Sequence, residues 1–205
     1  MCKILVLLTS ILFSNLLLLS QEKNNSDYDI YSLAISSEIT NQTKSVFIID
    51  EPKNDTLSLP WLNSVDSISA IQLEELRFLT RDENGNQIKM LDKSSQDLIV
   101  KFYKTQTTNL KIHNRFEVAG VNVFLLNAFP IKTGSQKEWR RFYKKYPGSG
   151  GIFQFSHISY SKDGKEAIFY HAVFRQELNA HGGLSIVQNI NGDWKVKYHI
   201  NFWQA

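Results

Sequence analysis

The chain has 205 residues, 42% of them hydrophobic, with 23 Lys and Arg against 20 Asp and Glu and a formal charge of +3. So near a balance gives no whole-molecule attraction to nucleic acid. A single cysteine excludes a disulfide framework.

Met1-Cys2-Lys3 is a short cationic start, and Ile4 to Leu19 is an apolar run broken only by Thr9, Ser10, Ser14 and Asn15. Ser20-Gln21-Glu22 then turns polar, which is the pattern of a signal peptide over residues 1–20. As a helix the run spans about 24 Å, short of the ~30 Å hydrocarbon core, so a cleavable signal is expected rather than an uncleaved anchor. Such an anchor is the one route by which this reading brings the chain to a membrane. Cys2 precedes the run and leaves with it. The expected mature chain, 21–205, is therefore cysteine-free, which removes lipidation at the cut, thiolate nucleophiles and thiolate metal ligands. About 185 residues suffice for one domain with one core. Asn24-Asn25-Ser26, Asn41-Gln42-Thr43 and Asn54-Asp55-Thr56 matter only in a host that glycosylates exported proteins.

Ser26 followed by Asp29 opens a helix whose Tyr31, Ala34 and Ile35 share a face. Val46 to Ile49 reads as a short buried strand, and 51–64, with Pro52 and Pro60, as a loop. Val65, Ile68, Leu76 and Leu79 form a second helical stripe, ended by Asp82-Glu83-Asn84-Gly85-Asn86. Ser94 or Ser95 caps a third helix with Leu98, Ile99, Phe102 and Tyr103 inward, and Val121 to Leu125 alternates like a strand. Ser135 and Glu138 make a capping box, and Trp139, Phe142, Tyr143 and Tyr146 then fall on one helical face. Pro147-Gly148 stops that helix. The next 57 residues read as four strands, 152–160, 166–174, 184–190 and 194–203, with turns at 162–164, 179–183 and 191–193. For the last hairpin a three-residue loop sets Trp194 opposite Ile190, Tyr198 opposite Ile186 and Ile200 opposite Leu184, apolar beside apolar. It leaves Lys195, Lys197 and His199 on the other face. The expected architecture is α+β: N-terminal helices plus a C-terminal antiparallel sheet of about four strands, preceded by an amphipathic helix.

Trp139, Phe142-Tyr143, Tyr146-Pro147, Ser149, Gly151, Phe155-Ser156, Ala167, Gly182-Gly183 before Leu184, Gly192-Asp193-Trp194 and Trp203 carry a resemblance. The spacing resembles an uncharacterised family of exported bacterial proteins sharing this C-terminal pattern. It implies a fold and an exported location, and no reaction. The order of elements also resembles the cone-shaped fold of nuclear-transport-factor-like domains, which carries no function by itself.

Four stretches compete as sites. Pro147-Gly148-Ser149-Gly150-Gly151 follows a helix instead of opening one, so the helix dipole has the wrong sign for phosphate. His181-Gly182-Gly183 resembles an esterase oxyanion loop, but the chain has no Gly-x-Ser-x-Gly, so a hairpin turn is the better reading. His157, His171 and His199 sit on expected strands, where converging imidazoles hold a metal or exchange protons. A two-residue turn at Asp163-Gly164 puts His157 and His171 on opposite faces and a longer one puts them together; both registers stay open. Arg140, Arg141, Lys144 and Lys145 form a basic helix face suited to an anionic envelope component or an acidic protein. The expected function is an exported, non-enzymatic binding or structural protein of the bacterial envelope or exterior, with no cofactor or metal called for. The alternative is a small hydrolase or metal-dependent enzyme using His157 or His171.

Overall fold

The computed structural model describes residues 27–50, 76, 79–105, 110–113, 115–131, 135–176 and 178–205. The expected signal peptide, Ser26 as an expected cap, the expected loop at 51–64, Val65 and Ile68 lie outside them. Among the described residues, the helices α1 (27–38), α2 (Lys93–Lys104) and α3 (Gln136–Lys145) flank a mixed, eight-stranded sheet. The strands are β1 (Ser45–Ile49), β2 (Thr80–Asp82), β3 (Asn122–Leu126), β4 (Ser149–Phe155), β5 (Ser159–Tyr160), β6 (Glu166–Gln176), β7 (Asn179–Ile190) and β8 (Asp193–Gln204). They lie in the order β2-β8-β7-β6-β4-β1-β3, with β5 also on β6. The α+β class stands. The sheet, however, is twice the expected four strands, and β1 runs parallel to both β3 and β4. β2 and β5 are too short to show a period, and a parallel pairing between distant segments leaves no local mark.

Side chains alternate along each strand, so the sheet has two covered faces. On one, α1 lays Ile30, Tyr31, Ala34 and Ile35 against Val46, Ile48, Phe153, Phe169 and Val173. On the other, α2 packs Leu98, Ile99 and Phe102 on Ile168, Tyr170, Leu184 and Ile200. Trp139 and Phe142 of α3 meet Phe47, Ile49 and Ile152 there too. The cap of α3 is Ser135, whose Oγ accepts from Glu138 N at 3.4 Å. The cap of α2 is Asp92 instead of Ser94 or Ser95, because its carboxylate reaches both the backbone N–H (3.0 Å) and the hydroxyl (3.1 Å) of Ser95. The stripe that carries Leu76 and Leu79 gives way to β2 at Thr80, and the Asp82 turn follows.

Three further expectations are corrected. The strand at 152–160 is two strands, β4 and β5. Ser156 Oγ accepts the Tyr170 N–H at 2.8 Å, where a ladder carbonyl would otherwise stand, and the chain leaves the ladder there. The segment 179–183 is the start of β7 and not a turn. Its glycines are needed for close approach: a Cβ on Gly182 would sit 2.7 Å from the Trp203 ring, and one on Gly183 would overlap the Ile200 carbonyl. The last hairpin turns on two residues, Asn191 (φ 57°) and Gly192 (φ 100°), with Trp194 opposite Asn189. A bulge at Lys197 then restores Tyr198 opposite Ile186 and Ile200 opposite Leu184, as the apolar pairing demanded.

Candidate functional site

That bulge decides which side chains meet. Before it Trp194 and Val196 face α1; after it the alternation is reversed, Tyr198 and Ile200 face α2, and His199 faces α1. His199 lies directly opposite Ser185 on β7. His171 on β6 is opposite Gly183, which places it one diagonal from both Ser185 and His181 on the same face. The C-terminal residue of α1, Glu38, comes down onto this row.

Glu38 is held from several sides. Arg175 Nη2 donates to the Glu38 backbone carbonyl at 2.6 Å and to Oε2 at 2.9 Å, capping α1 and pairing its carboxylate together. Oε1 lies 2.9 Å from His181 Nε2 and 3.9 Å from His171 Nε2. Burial by itself would raise the Glu38 pKa, but the two imidazoles and the guanidinium outweigh it and hold the carboxyl well below the usual range. Behind the histidines, Ser185 Oγ stands 3.3 Å from His171 Nδ1 and 2.9 Å from His199 Nδ1. One hydroxyl between two ring nitrogens donates to one and accepts from the other, which ties the two tautomers together. Burial, with the neighbouring His171 adding to it, pushes His199 down to about 4, so this ring is neutral at physiological pH. His171 and Ser185 are buried, while Glu38, His181 and His199 line a cleft of about 290 Å³ that Arg81 and Asn201 also border.

Of the sequence candidates, His171 and His199 belong to this site and His157 does not. His157 lies outside the strands, its ring stacked 5.9 Å from Phe102 of α2 and so across the sheet from His171. Burial lowers its pKa, outweighing a contact with the Thr105 backbone. Arg140, Arg141, Lys144 and Lys145 are exposed on α3. None of the four is ion-paired among the described residues; Arg140 bonds Gln136 at 3.1 Å, and Lys145 lies over the Tyr146 ring at 5.1 Å. Lys197 does not extend that face, because it is bound to Asp92 and Glu166.

No protein-family model, curated protein or solved structure matches this chain. Function therefore has to be read from side chains. Sequence reasoning missed Glu38, Arg175, His181 and Ser185. His181 had a signal, a histidine beside two glycines, but it pointed to a turn. Glu38 had none beyond its place near the end of an amphipathic helix.

Proposed function

We propose that the chain is an exported binding domain of the bacterial envelope or exterior, and that its ligand seats in the cleft at the end of α1. Export is inferred from Lys3 and the apolar run Ile4–Leu19. The family resemblance of the C-terminal third agrees with that location. A cone-like arrangement is supported to the extent that α1 covers one face of long antiparallel strands interrupted by bulges. The observation that carries the binding reading is the convergence of Glu38, His171, His181 and His199, from α1, β6, β7 and β8, on one cleft, with Arg175 holding Glu38 in place. A concave site with a few convergent polar groups is the usual form of a ligand seat. By comparison, the basic side chains of α3 are exposed to solvent.

Native mass spectrometry of protein purified from the producing bacterium tests the proposal. The expected species begins after Ser20 and carries a non-covalent mass. Glu38→Gln and His181→Gln should lose that mass, and the quadruple charge reversal of Arg140, Arg141, Lys144 and Lys145 should keep it. A bare wild-type chain, an uncut cytosolic chain, or loss of the mass only in the charge-reversed protein overturns the reading. A second reading, an enzyme built on the strand histidines, is favoured by His199 lining the same cleft as His171 and His181, which brings three imidazoles to one void. Hydrolysis of a model ester or phosphodiester that disappears in His199→Gln would support it over the first.

A further inference from the structure

We propose that Glu38, His171 and His181 bind a divalent transition-metal ion, with an open coordination position facing the cleft. The inference rests on the cleft being the ligand seat and names the ligand. Fastening α1 to the sheet requires only Arg175, which grips both the Glu38 carbonyl and Oε2. The other carboxylate oxygen faces two imidazoles, and one nitrogen from each ring and one carboxylate oxygen all lie within 4.8 Å of one another. Metal bonds of ~2.0–2.2 Å to His and carboxylate ligands in a tetrahedral arrangement place ligand atoms roughly 3.3 Å apart. The spacings from Oε1, 2.9 Å to His181 and 3.9 Å to His171, straddle that value. The third spacing, between the two imidazoles, is at most 4.8 Å, so a tetrahedral ion would draw the rings together by up to about 1.5 Å, a movement that torsions of the partly exposed His181 side chain can supply.

The surroundings are those of a supported ligand set. A metal-binding imidazole donates its second ring N–H to a fixed acceptor, and Ser185 Oγ stands at His171 Nδ1. A ligating carboxylate is itself hydrogen-bonded, and Arg175 holds Oε2. His171 and His181 sit on adjacent central strands in a diagonal register that Gly183, opposite His171, keeps clear of side chains. Two imidazoles and one carboxylate suit zinc, cobalt, nickel, copper or iron(II) rather than calcium or magnesium, which take oxygen-rich shells. Three protein ligands beside a cleft are the form of a site with an open position, in contrast to the four of a closed structural zinc site. The shared Arg175 charge repels the ion and sets the affinity below that of a closed site.

The test titrates the purified, chelator-treated full chain with Co²⁺, read by visible absorption, and with Zn²⁺, read by calorimetry. One equivalent of each is expected per wild-type chain. His181→Gln, at a half-exposed position, should weaken binding by more than about 100-fold while the protein keeps its wild-type circular dichroism, since even second-sphere losses reach that range. Ser185→Ala should weaken it by about 10-fold, and His157→Gln should leave it unchanged. As a readout that needs no variant, Zn²⁺ should shift the ring ¹⁵N resonances of both His171 and His181. Absence of Co²⁺ binding, equal affinity in His181→Gln, or equally tight Ca²⁺ binding overturns the inference. If Co²⁺ fails but native mass spectrometry finds another ligand lost in Glu38→Gln and His181→Gln, the metal is wrong and the binding cleft stands; a bare wild-type chain with no Co²⁺ binding sinks both.

Discussion

Two ionic clusters lie on opposite faces of the same strands, and both depend on the bulge in β8. On the α2 face Lys197 Nζ binds Glu166, Asp92 (2.8 Å) and Ser95 Oγ (3.3 Å), while Ser94 adds a hydroxyl to Glu166 at 2.5 Å and Tyr198 one to Asp92 at 3.2 Å. One ammonium faces two carboxylates, and the hydroxyls take up remaining acceptor sites. On the α1 face one carboxylate faces a guanidinium and two imidazoles, with a third imidazole behind a serine and open space beside it. The first has the form of a joint between α2 and the sheet. The second holds more ligating groups than a joint needs. The difference teaches that what marks a cluster as a site is surplus donors beside a void, and that the presence of charge alone does not.

The comparison breaks most severely at Gly183, which both faces share. Gly183→Ala drives a methyl into the Ile200 carbonyl of the paired strand and should cost about 3 kcal/mol, lowering Tm by about 6–12 °C in calorimetry. Retained wild-type stability would mean that β7 and β8 do not approach as described. Lys197→Met separates the two clusters. It strands Glu166 and Asp92, and because Asp92 is partly exposed the expected loss is about 2 kcal/mol by denaturant unfolding, with Co²⁺ binding unchanged. A change in metal affinity would show that the clusters are coupled through the bulge.

The same variant alters acid stability. Burial tends to raise the Asp92 pKa, but Lys197 and Ser95 overcome it and hold the carboxyl at about 2. The folded pKa lies below the unfolded one, so the unfolded chain takes up the proton first. The Asp92 contribution is complete above pH ~4 and is lost as pH falls through about 2. Lys197→Met should flatten unfolding free energy against pH across that window. The smallest effect is expected on α3, where Arg140→Glu with Lys144→Glu should change stability by no more than about 0.5 kcal/mol, because both side chains project into solvent.

Helical periodicity was legible wherever a face is buried: Tyr31, Ala34 and Ile35, then Leu98, Ile99 and Phe102, then Trp139 and Phe142 are all interior. The hairpin shows where local reading stops. Asn191-Gly192 favours a two-residue turn, and the apolar residues favour the register of a three-residue turn. The fold satisfies both by spending Lys197 on a bulge, which reversed the expected facing of His199 relative to Trp194. His171 was visible as a candidate, but the carboxylate near it was not, since Glu38 and His181 are 143 positions apart.

By itself the sequence determined α1, α2 and α3, their buried faces, the presence of β1 and of long C-terminal strands, and the stop after Tyr146, because each follows from short-range sterics and the burial of one side of one element. Tertiary structure alone decided the parallel pairings of β1, the position of the β8 bulge, the strand identity of His181 and the arrival of Glu38 beside it. Those outcomes depend on which distant backbones compete for the same hydrogen bonds and the same interior space, and no window of neighbouring residues contains that competition.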